Sequence, residues 1–420
     1  MTTTLPHDGT ATRRPLFRQP EFRRLFMSAA LARFGSHVGH LALPLVAVVT
    51  LDASPWQVGL LGGLGTAAFL VVGLPAGAWV DRMRRRPLMI TADLVRAALI
   101  VSIPIAWWFD ALSMPHLYAV ALAAGVATVF FDVAAQSLLP RLVTRPDLTS
   151  ANSALVSLDS VANITGRGLG GHLVQWLTAP VALLTEAVGL LWSAACLARL
   201  RTHEPTPEPA TERTRLRRDV GEGVRHVFGH PRLRPLAVGG VLVNLFMTML
   251  LTIAPVLLVA ERGLSASVLG GFLGLGGAAG LAGAALARRI SARLGSSRAI
   301  WLVGALAAPG ALCLPLLAVP DRWWLATPGW LLFAMAIGVD NVLKISYRQA
   351  ATPDRLAGRM NATFRFLFTG VVTVGAVSAG AVGELYGATT VLWIAAAGLA
   401  TSWLAVYFSP FRKSRDLPVE

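Results

Sequence analysis

The sequence predicts an all-α integral membrane protein with twelve transmembrane helices arranged as two parallel six-helix repeats. Three observations support this prediction: the composition, a set of long apolar segments, and a polar stretch that divides them equally. Of the 420 residues, 55% are hydrophobic and 14% are charged, whereas soluble domains are about 25% charged. Together with the mean hydropathy of +0.60, this composition argues against a soluble enzyme, a disordered chain and a secreted disulfide-rich protein.

Twelve apolar segments are each long enough to cross a bilayer, which takes about 20 helical residues. They span residues 26–50, 56–80, 87–109, 115–140, 149–177, 179–200, 233–260, 265–290, 298–319, 323–350, 359–383 and 388–409. The division between the fifth and sixth segments is the weakest, because only Thr178 and its neighbours mark it.

A polar, Pro-rich and charged stretch separates the segments six and six. The predicted organisation is therefore an N-terminal tail, a six-helix bundle, a linker with a short amphipathic helix near 215–228, a second six-helix bundle and a C-terminal tail. These parts span residues 1–25, 26–200, 201–232, 233–409 and 410–420.

Short patterns recur between the two bundles at a nearly constant interval. The run Leu64–Ala68 resembles Leu275–Ala279, which lies 211 residues later, and the loop at 144–152 resembles the loop at 352–361. Two matches at one interval predict two parallel repeats. Such repeats move against each other around a midplane site in many secondary transporters.

The distribution of basic residues predicts the orientation in the membrane. Lys and Arg mark cytoplasmic loops, and only Arg262 and Arg322 fall in loops on the side opposite to the N-terminus. Both termini and the linker are therefore expected to be cytoplasmic, in a bacterial inner (plasma) membrane. The net charge of +15 is dispersed in short clusters between apolar segments, which favours a lipid bilayer as partner and argues against nucleic acid.

One loop carries a recognisable motif. The chain from Gly77 to Arg86 reads GAWVDRMRRR. This loop resembles the signature of the major facilitator superfamily, which has Gly, three residues, Asp-Arg and then basic residues. Arg84 stands where that family usually has Gly.

Other phrases are similar to one branch of this superfamily, the bacterial efflux members that include siderophore and macrolide exporters. The phrases are ADLVR at 92–96, FFD at 130–132, LPRLV at 139–143, ANSA at 151–154 and PDRLAGR at 353–359. The resemblance covers about residues 20–410 and implies the major facilitator fold. One departure is Arg167, which replaces the proline that many exporters of the family carry in the fifth helix.

The resemblance also implies a gate at the cytoplasmic surface. In the family the signature loop locks the two halves together, which makes Gly77, Asp81, Arg82 and Arg85 gate residues here. A carboxylate such as Asp81 can also stabilise the positive end of a neighbouring helix. The alternative is that the basic cluster only sets topology and binds anionic lipid headgroups.

A stripe of polar residues runs along the fifth segment. Asn152, Asp159, Asn163 and Arg167 are spaced seven, four and four residues apart, which places them on one helix face. A lipid-facing stripe of this kind is implausible, so we expect it to line a cavity or a helix interface. Glu186 lies at a similar depth to Arg167 and is expected to pair with it, either structurally or in energy coupling.

Other ionisable residues are expected near a central cavity. In the family, the first, fourth, seventh and tenth helices line that cavity, which assigns to it Arg33, His37, His40, Asp132, Asn244, Asp340 and Lys344. Asp340 and Lys344 are four residues apart and can pair. His37 and His40 either sense or carry protons or are simply hydrogen-bonded. Asp93 and Arg96, on the third segment, are interpreted as a local structural pair.

A carboxylate that carries protons must be buried, and a nearby cation opposes its protonation. The candidates are Asp159, Asp340, Asp132 and Glu186. Asp159 ranks first because Asn163, its neighbour on the stripe, is uncharged. Asp340 ranks second because Lys344 lies one turn away.

The predicted function is secondary active transport by a monomer without cofactors. No phosphate-binding Gly-x-x-x-x-Gly-Lys-Ser/Thr loop, His-Glu-x-x-His metal motif or Gly-x-Ser-x-Gly motif occurs, so a membrane enzyme, a resident metal and ATP hydrolysis are not expected. The branch resemblance implies export of a small, partly apolar organic molecule in exchange for protons. Uptake of a small metabolite and lipid translocation are the alternatives.

Overall fold

The computed structural model describes residues 16–80, 82–200 and 216–414. Helices α1–α6 of the N-terminal half are Pro20–Leu45, Pro55–Val80, Arg85–Trp108, Met114–Leu142, Leu148–Leu177 and Leu184–Ala198. Helices α7–α12 of the C-terminal half are Leu233–Pro255, Ala266–Leu294, Ser296–Leu312, Ala326–Ala350, Asp354–Tyr386 and Ala388–Thr401. Between the halves lies the linker helix, Leu216–Gly229, where the sequence predicts an amphipathic helix.

Short irregular segments extend several of these helices. A π-helix follows α1 at Val46–Thr50, and another follows α7 at Val256–Glu261. One-turn helices flank α6 and α12, at Ala179–Ala182 and Leu404–Tyr407. The predicted boundary near Thr178 is confirmed, because Thr178 adopts a φ of 77° between the two helices that it separates.

Eleven helices in the described part of the chain are long and apolar enough to cross a membrane. The remaining long helix, α5, has 30 residues, which corresponds to about 45 Å. Because α4 ends at one face of the bundle and α6 begins at the other, α5 must cross as well. Its polar stripe explains why composition alone does not identify it as a span.

Within each half the connections are short, so consecutive helices run in opposite directions. We call the face where α1 begins the terminal face, and the face where α2 begins the distal face. Three exposed tryptophans lie at the distal ends of helices, with exposed fractions of 77% for Trp108, 76% for Trp176 and 56% for Trp324. This placement is typical of residues at a membrane–water interface.

The helices of the two halves pack in the same pattern. In the N-terminal half, α1 packs against α5 and α6, and α3 packs against α4 and α6. In the C-terminal half, α7 packs against α11 and α12, and α9 packs against α10 and α12. A shift of six helices converts one set of contacts into the other, which supports the predicted parallel repeats.

Two helix pairs, α2 with α11 and α5 with α8, join the halves. At each junction two glycines face one another near the distal face. A Cβ on Gly59 would lie 2.6 Å from the Gly380 Cα, and a Cβ on Gly270 would lie 2.8 Å from the Gly171 Cα. Gly270 follows Gly59 by 211 residues and Gly380 follows Gly171 by 209, so the repeat relates the two junctions to each other.

The linker helix is attached to the terminal end of α11. Arg359 Nη1 donates a hydrogen bond to Glu222 Oε2, and Gly223 lies so close that a Cβ there would be 2.8 Å from the Arg359 carbonyl oxygen. Val227 is fully buried at this contact. The linker helix therefore packs on the C-terminal half rather than extending freely from the bundle.

Candidate functional site

A cavity of about 680 Å³ lies inside the N-terminal half, among α1, α3, α4 and α5. Its lining runs from Leu25, Met89 and Leu139, near the terminal face, to His40 and Thr128 in the middle of the bundle. The cavity is therefore reached from the terminal face, while the glycine junctions bring the halves together near the distal face. Its volume falls within the range of sites for small organic ligands.

An ion pair between α1 and α5 forms part of the cavity wall. Arg33 Nη1 lies 2.6 Å from Asp159 Oδ1, and His37 Nε2 lies 3.4 Å from the same oxygen. The Arg33 and Asp159 side chains are 41% and 44% exposed, so both are open to the cavity. Asp159 ranks first as proton carrier because its stripe neighbour Asn163 is uncharged, but the structure brings a cation, Arg33, to it from a different helix.

A buried ion pair links α3 to α6 behind the cavity. Arg96 Nη2 lies 3.3 Å from Glu186 Oε1, and the Ser36 hydroxyl donates to that same oxygen at 3.2 Å. The expected pair between Glu186 and Arg167 is therefore wrong. Helix rotation directs Glu186 to Arg96 instead.

Glycines on α1 make this arrangement possible. A Cβ on Gly35 would lie 2.7 Å from the Thr185 carbonyl oxygen, and a Cβ on Gly39 would overlap the Glu186 carboxylate itself. Small residues at both positions allow α1 and α6 to approach closely, as glycines do between membrane helices. The Glu186 side chain occupies the space that a side chain at residue 39 would fill.

A second ion pair at the cavity crosses between the halves. Arg365 Nη2 on α11 lies 3.3 Å from Asp132 Oδ2 on α4, and the Arg365 guanidinium stacks over the Phe69 ring of α2 at 5.0 Å. The sequence analysis did not identify Arg365. It was detectable as a cation six residues inside the apolar segment 359–383, which begins with Arg359.

Asp340 and Lys344 pair as predicted, with 2.6 Å between Lys344 Nζ and Asp340 Oδ2. However, they do not line the cavity of the N-terminal half. They border a separate space of about 30 Å³ within the C-terminal half, together with residues of α7, α9 and α12 such as Val243, Gly304 and Leu399.

Three other candidates also lie outside the lining of the large cavity. The Asn244 side chain donates to the Gly240 carbonyl of its own helix at 2.8 Å. The Arg167 carbonyl lies at the junction with α8, 2.6 Å from the position of a Cβ on Gly270. Of the polar stripe on α5, Asn152 and Asp159 line the cavity, whereas Asn163 and Arg167 do not.

The motif loop lies at the terminal face. Gly77 belongs to the last turns of α2, Arg82 is exposed in the following turn and Arg85 begins α3. Asp81 lies outside the described residues. Arg86 has a role that the sequence analysis missed: its side chain donates to the carbonyl oxygens of Leu197, at 2.8 Å, and Ala198. It thereby stabilises the end of α6.

Two structural repeats of six membrane-crossing helices, with a cavity inside one of them, are typical of membrane transporters. The sequence profile of the Major Facilitator Superfamily matches residues 25–374, and the chain belongs to this family.

The relatives include transporters described by function and by structure. An uncharacterized MFS-type transporter of Sinorhizobium fredii, y4rN, is 29% identical over 83% of this chain and 84% of its own length. The multidrug efflux pump Tap of Mycolicibacterium fortuitum is 26% identical over 51% of this chain and 54% of the pump, so that match spans about half of each protein. A bacterial homologue of the iron transporter ferroportin, solved in an inward-facing state, superimposes with a TM-score of 0.76 at 16% identity. It covers 94% of this chain and 98% of that one.

Proposed function

We propose that this protein exports a small, partly apolar organic compound, such as a drug, antibiotic, siderophore or other natural product, in exchange for protons. The observation that carries the proposal is the cavity of the N-terminal half, which combines apolar walls with the ion pair of Arg33 and Asp159. Such a surface suits an amphipathic molecule, because apolar walls supply burial and a few polar groups fix orientation. The similarity to an efflux pump favours export over uptake and lipid translocation.

Alternating access by rocking of the two halves is the proposed mechanism. The Gly59–Gly380 and Gly171–Gly270 junctions supply close contacts near the distal face, on which the halves can pivot. Opening these contacts and closing the cavity at the terminal face would expose the substrate to the other side. A monomer contains every part that this motion requires.

We propose proton coupling because carboxylates lie among the membrane-crossing helices, two of the candidates at the cavity and Asp340 beside the smaller space of the C-terminal half. The candidates Asp132, Asp159, Asp340 and Glu186 each hold a cationic partner in this state, namely Arg365, Arg33, Lys344 and Arg96. A proton could replace any of these cations only if the ion pair opens. His37 and His40, whose rings lie 5.9 Å apart beside the Asp159 pair, are further proton-carrying candidates.

The orientation that we propose places both termini and the linker in the cytoplasm of a bacterium, with the protein in the inner membrane. The terminal face is then cytoplasmic and the cavity opens inward. The test is a single Cys at Thr206 in a variant in which Cys196 and Cys313 are replaced by Ser. We expect it to resist impermeant thiol reagents added to intact cells and to react after permeabilisation. Rapid labelling in intact cells would show that the orientation is the opposite of the one proposed.

The gate at Asp81, with Gly77, Arg82 and Arg85, remains a proposal that follows from the motif. Asp81→Asn is expected to lower transport while leaving expression intact, because it removes the carboxylate that can stabilise the end of a neighbouring helix. Transport at the wild-type level would show that the loop only sets topology.

The proposed function is tested in everted membrane vesicles that contain the protein, with ethidium as the probe and a vesicle sample without the protein as the control. We expect an imposed proton gradient, acidic inside, to drive ethidium into the vesicles, and an uncoupler to release it. Accumulation that persists after the gradient is collapsed would exclude proton coupling. A susceptibility screen of an expressing strain against antibiotics and natural products would then identify the substrate class.

A further inference from the structure

Asp93 on α3 is a buried carboxylate without a hydrogen-bond donor. Its side chain is 1% exposed, and neither carboxylate oxygen has a hydrogen-bond partner. It nevertheless borders the cavity of the N-terminal half. Ionised carboxylates that are buried in proteins are normally paired or hydrogen-bonded, because desolvation is costly. Asp93 therefore has weaker contacts than an ionised buried carboxylate normally has, the nearest cation being Arg96 at 3.8 Å.

The charges around Asp93 do not balance. Arg96 lies between two carboxylates, with 3.3 Å from Nη2 to Glu186 Oε1 and 3.8 Å from Nη1 to Asp93 Oδ1. One guanidinium thus serves two buried acids, and Glu186 also receives the Ser36 hydroxyl. Together, the three side chains carry one excess negative charge if both acids are ionised. A single proton would neutralise them.

The other ionisable groups at the cavity do not correct this imbalance. Arg33 is held by Asp159 on α5, and Arg365 is held by Asp132 on α4. The remaining groups are His37 and His40 on α1, which also line the cavity. On α6, the polar neighbour of Asp93 is the buried hydroxyl of Ser193, which interacts with the carboxylate but outside ordinary hydrogen-bond geometry. A protonated Asp93 carboxyl would donate a hydrogen bond to this hydroxyl oxygen.

We propose that Asp93 is the proton-binding site of the transport cycle. A proton from cavity water forms an O–H bond with one Asp93 oxygen, which neutralises Asp93, Arg96 and Glu186 as a group, and it returns to water when the carboxylate is exposed. This inference rests on the proposed proton-coupled export and names the carboxylate that performs the coupling. Asp93 suits this role better than the more closely paired carboxylates, because its separation from Arg96, 3.8 Å, is the widest of these ion pairs.

Infrared difference spectroscopy of the purified protein during a pH titration tests proton binding directly, without any substrate. We expect the C=O stretch of a protonated, buried carboxylic acid in the wild type, and its loss in Asp93→Asn. The matched control is Asp110→Asn, at an exposed position with a φ of 53° that Asn tolerates; it should retain the band. A band that survives in Asp93→Asn but disappears in Glu186→Gln would overturn the proposal.

The ethidium assay in vesicles separates this inference from the proposed function. If the wild type accumulates ethidium with the gradient, Asp93→Asn should lose accumulation and Asp93→Glu should restore it. Gradient-driven accumulation by a correctly folded Asp93→Asn protein would refute the role of Asp93. If the wild type itself shows no gradient-driven transport, the proposed function fails, and the infrared titration still decides whether Asp93 binds a proton. If Asp93→Asn does not fold, Asp93→Glu decides: its infrared band must titrate at a different pH from that of the wild type.

Discussion

The two halves of the molecule share a scaffold but differ in what they enclose. Asp132 on α4 and Asp340 on α10 lie 208 residues apart, at matching positions of the repeat. Asp132 reaches across to Arg365 in the other half, whereas Asp340 pairs with Lys344 on its own helix. One half surrounds about 680 Å³ and the other about 30 Å³. The repeat has therefore kept its helix packing while concentrating accessible polar groups in the N-terminal half.

The largest expected effect comes from the shared scaffold. Gly59→Val should lower ethidium export about tenfold or more, because overpacking at the distal junction costs about 1–3 kcal/mol. A Cβ there would lie 2.6 Å from the Ala376 carbonyl oxygen. Gly270→Val, its counterpart in the other half, should have a similar effect.

The control for the scaffold prediction is Gly65→Val on the same helix as Gly59, because no atom lies within 4 Å of a Cβ at Gly65. Export should stay close to the wild-type rate in this variant. An equal loss in the control, or a loss at only one of the two junctions, would contradict the equivalence of the two halves.

A smaller but still strong effect is expected from Gly39→Ala, which concerns the N-terminal half alone. The new methyl group would displace the Glu186 carboxylate from Arg96, since Glu186 occupies that space. Breaking a buried ion pair costs about 3–5 kcal/mol, so the melting temperature of the purified protein should fall clearly. Gly168→Ala, where a Cβ meets nothing within 4 Å, provides the control. A melting temperature equal to that of the control would show that Glu186 has another position available.

Two ion pairs, one within each half, should separate function from stability. Asp159→Asn, in the open cavity, should lower export about tenfold with little change in melting temperature, because its pair with Arg33 is accessible to solvent. Asp340→Asn should do the opposite and lose about 3 kcal/mol of stability, because Lys344 is left buried and unpaired. Parallel export and melting measurements on the two variants test this contrast. The same response in both variants would remove the functional distinction between the halves.

The smallest effect is expected at the bridge between the halves. Asp132 and Arg365 are 48% and 38% exposed, so their pairing is worth about 1 kcal/mol or less. Asp132→Asn should therefore reduce the population of this state only several-fold. The exchanged variant, Asp132→Arg with Arg365→Asp, should restore it. Distances between spin labels on Cys residues at Met83 and Arg355, both exposed, would measure the populations.

The fold could be predicted from hydropathy, but the partners of the polar side chains could not. Depth in the membrane follows from counting residues along a helix, and it placed Glu186 and Arg167 at similar levels. Rotation about the helix axis depends on packing with neighbours, and it directs Glu186 to Arg96 instead. Asp340 and Lys344 were predictable as a pair because both lie on one helix.

Asp159 shows a second limit of sequence reasoning. Its stripe on α5 was expected at a cavity or an interface, and the structure shows a cavity at Asn152 and Asp159 and a helix junction at Arg167. The cation that binds Asp159 lies 126 residues earlier on α1. A pattern within one helix carries no information about a residue that only tertiary packing brings near.

The paired glycine junctions imply a history for the asymmetry. If each half once existed as a separate chain, two copies would have met through a self-complementary dimer interface. A substitution in such a gene changes both copies at once, so a charge suited to one cavity would also appear in the other. Fusion into a single gene removes that constraint while both glycine contacts remain in place. In the joined chain, one half could then acquire the residues that bind the ligand, while the other half kept only its part in the rocking motion.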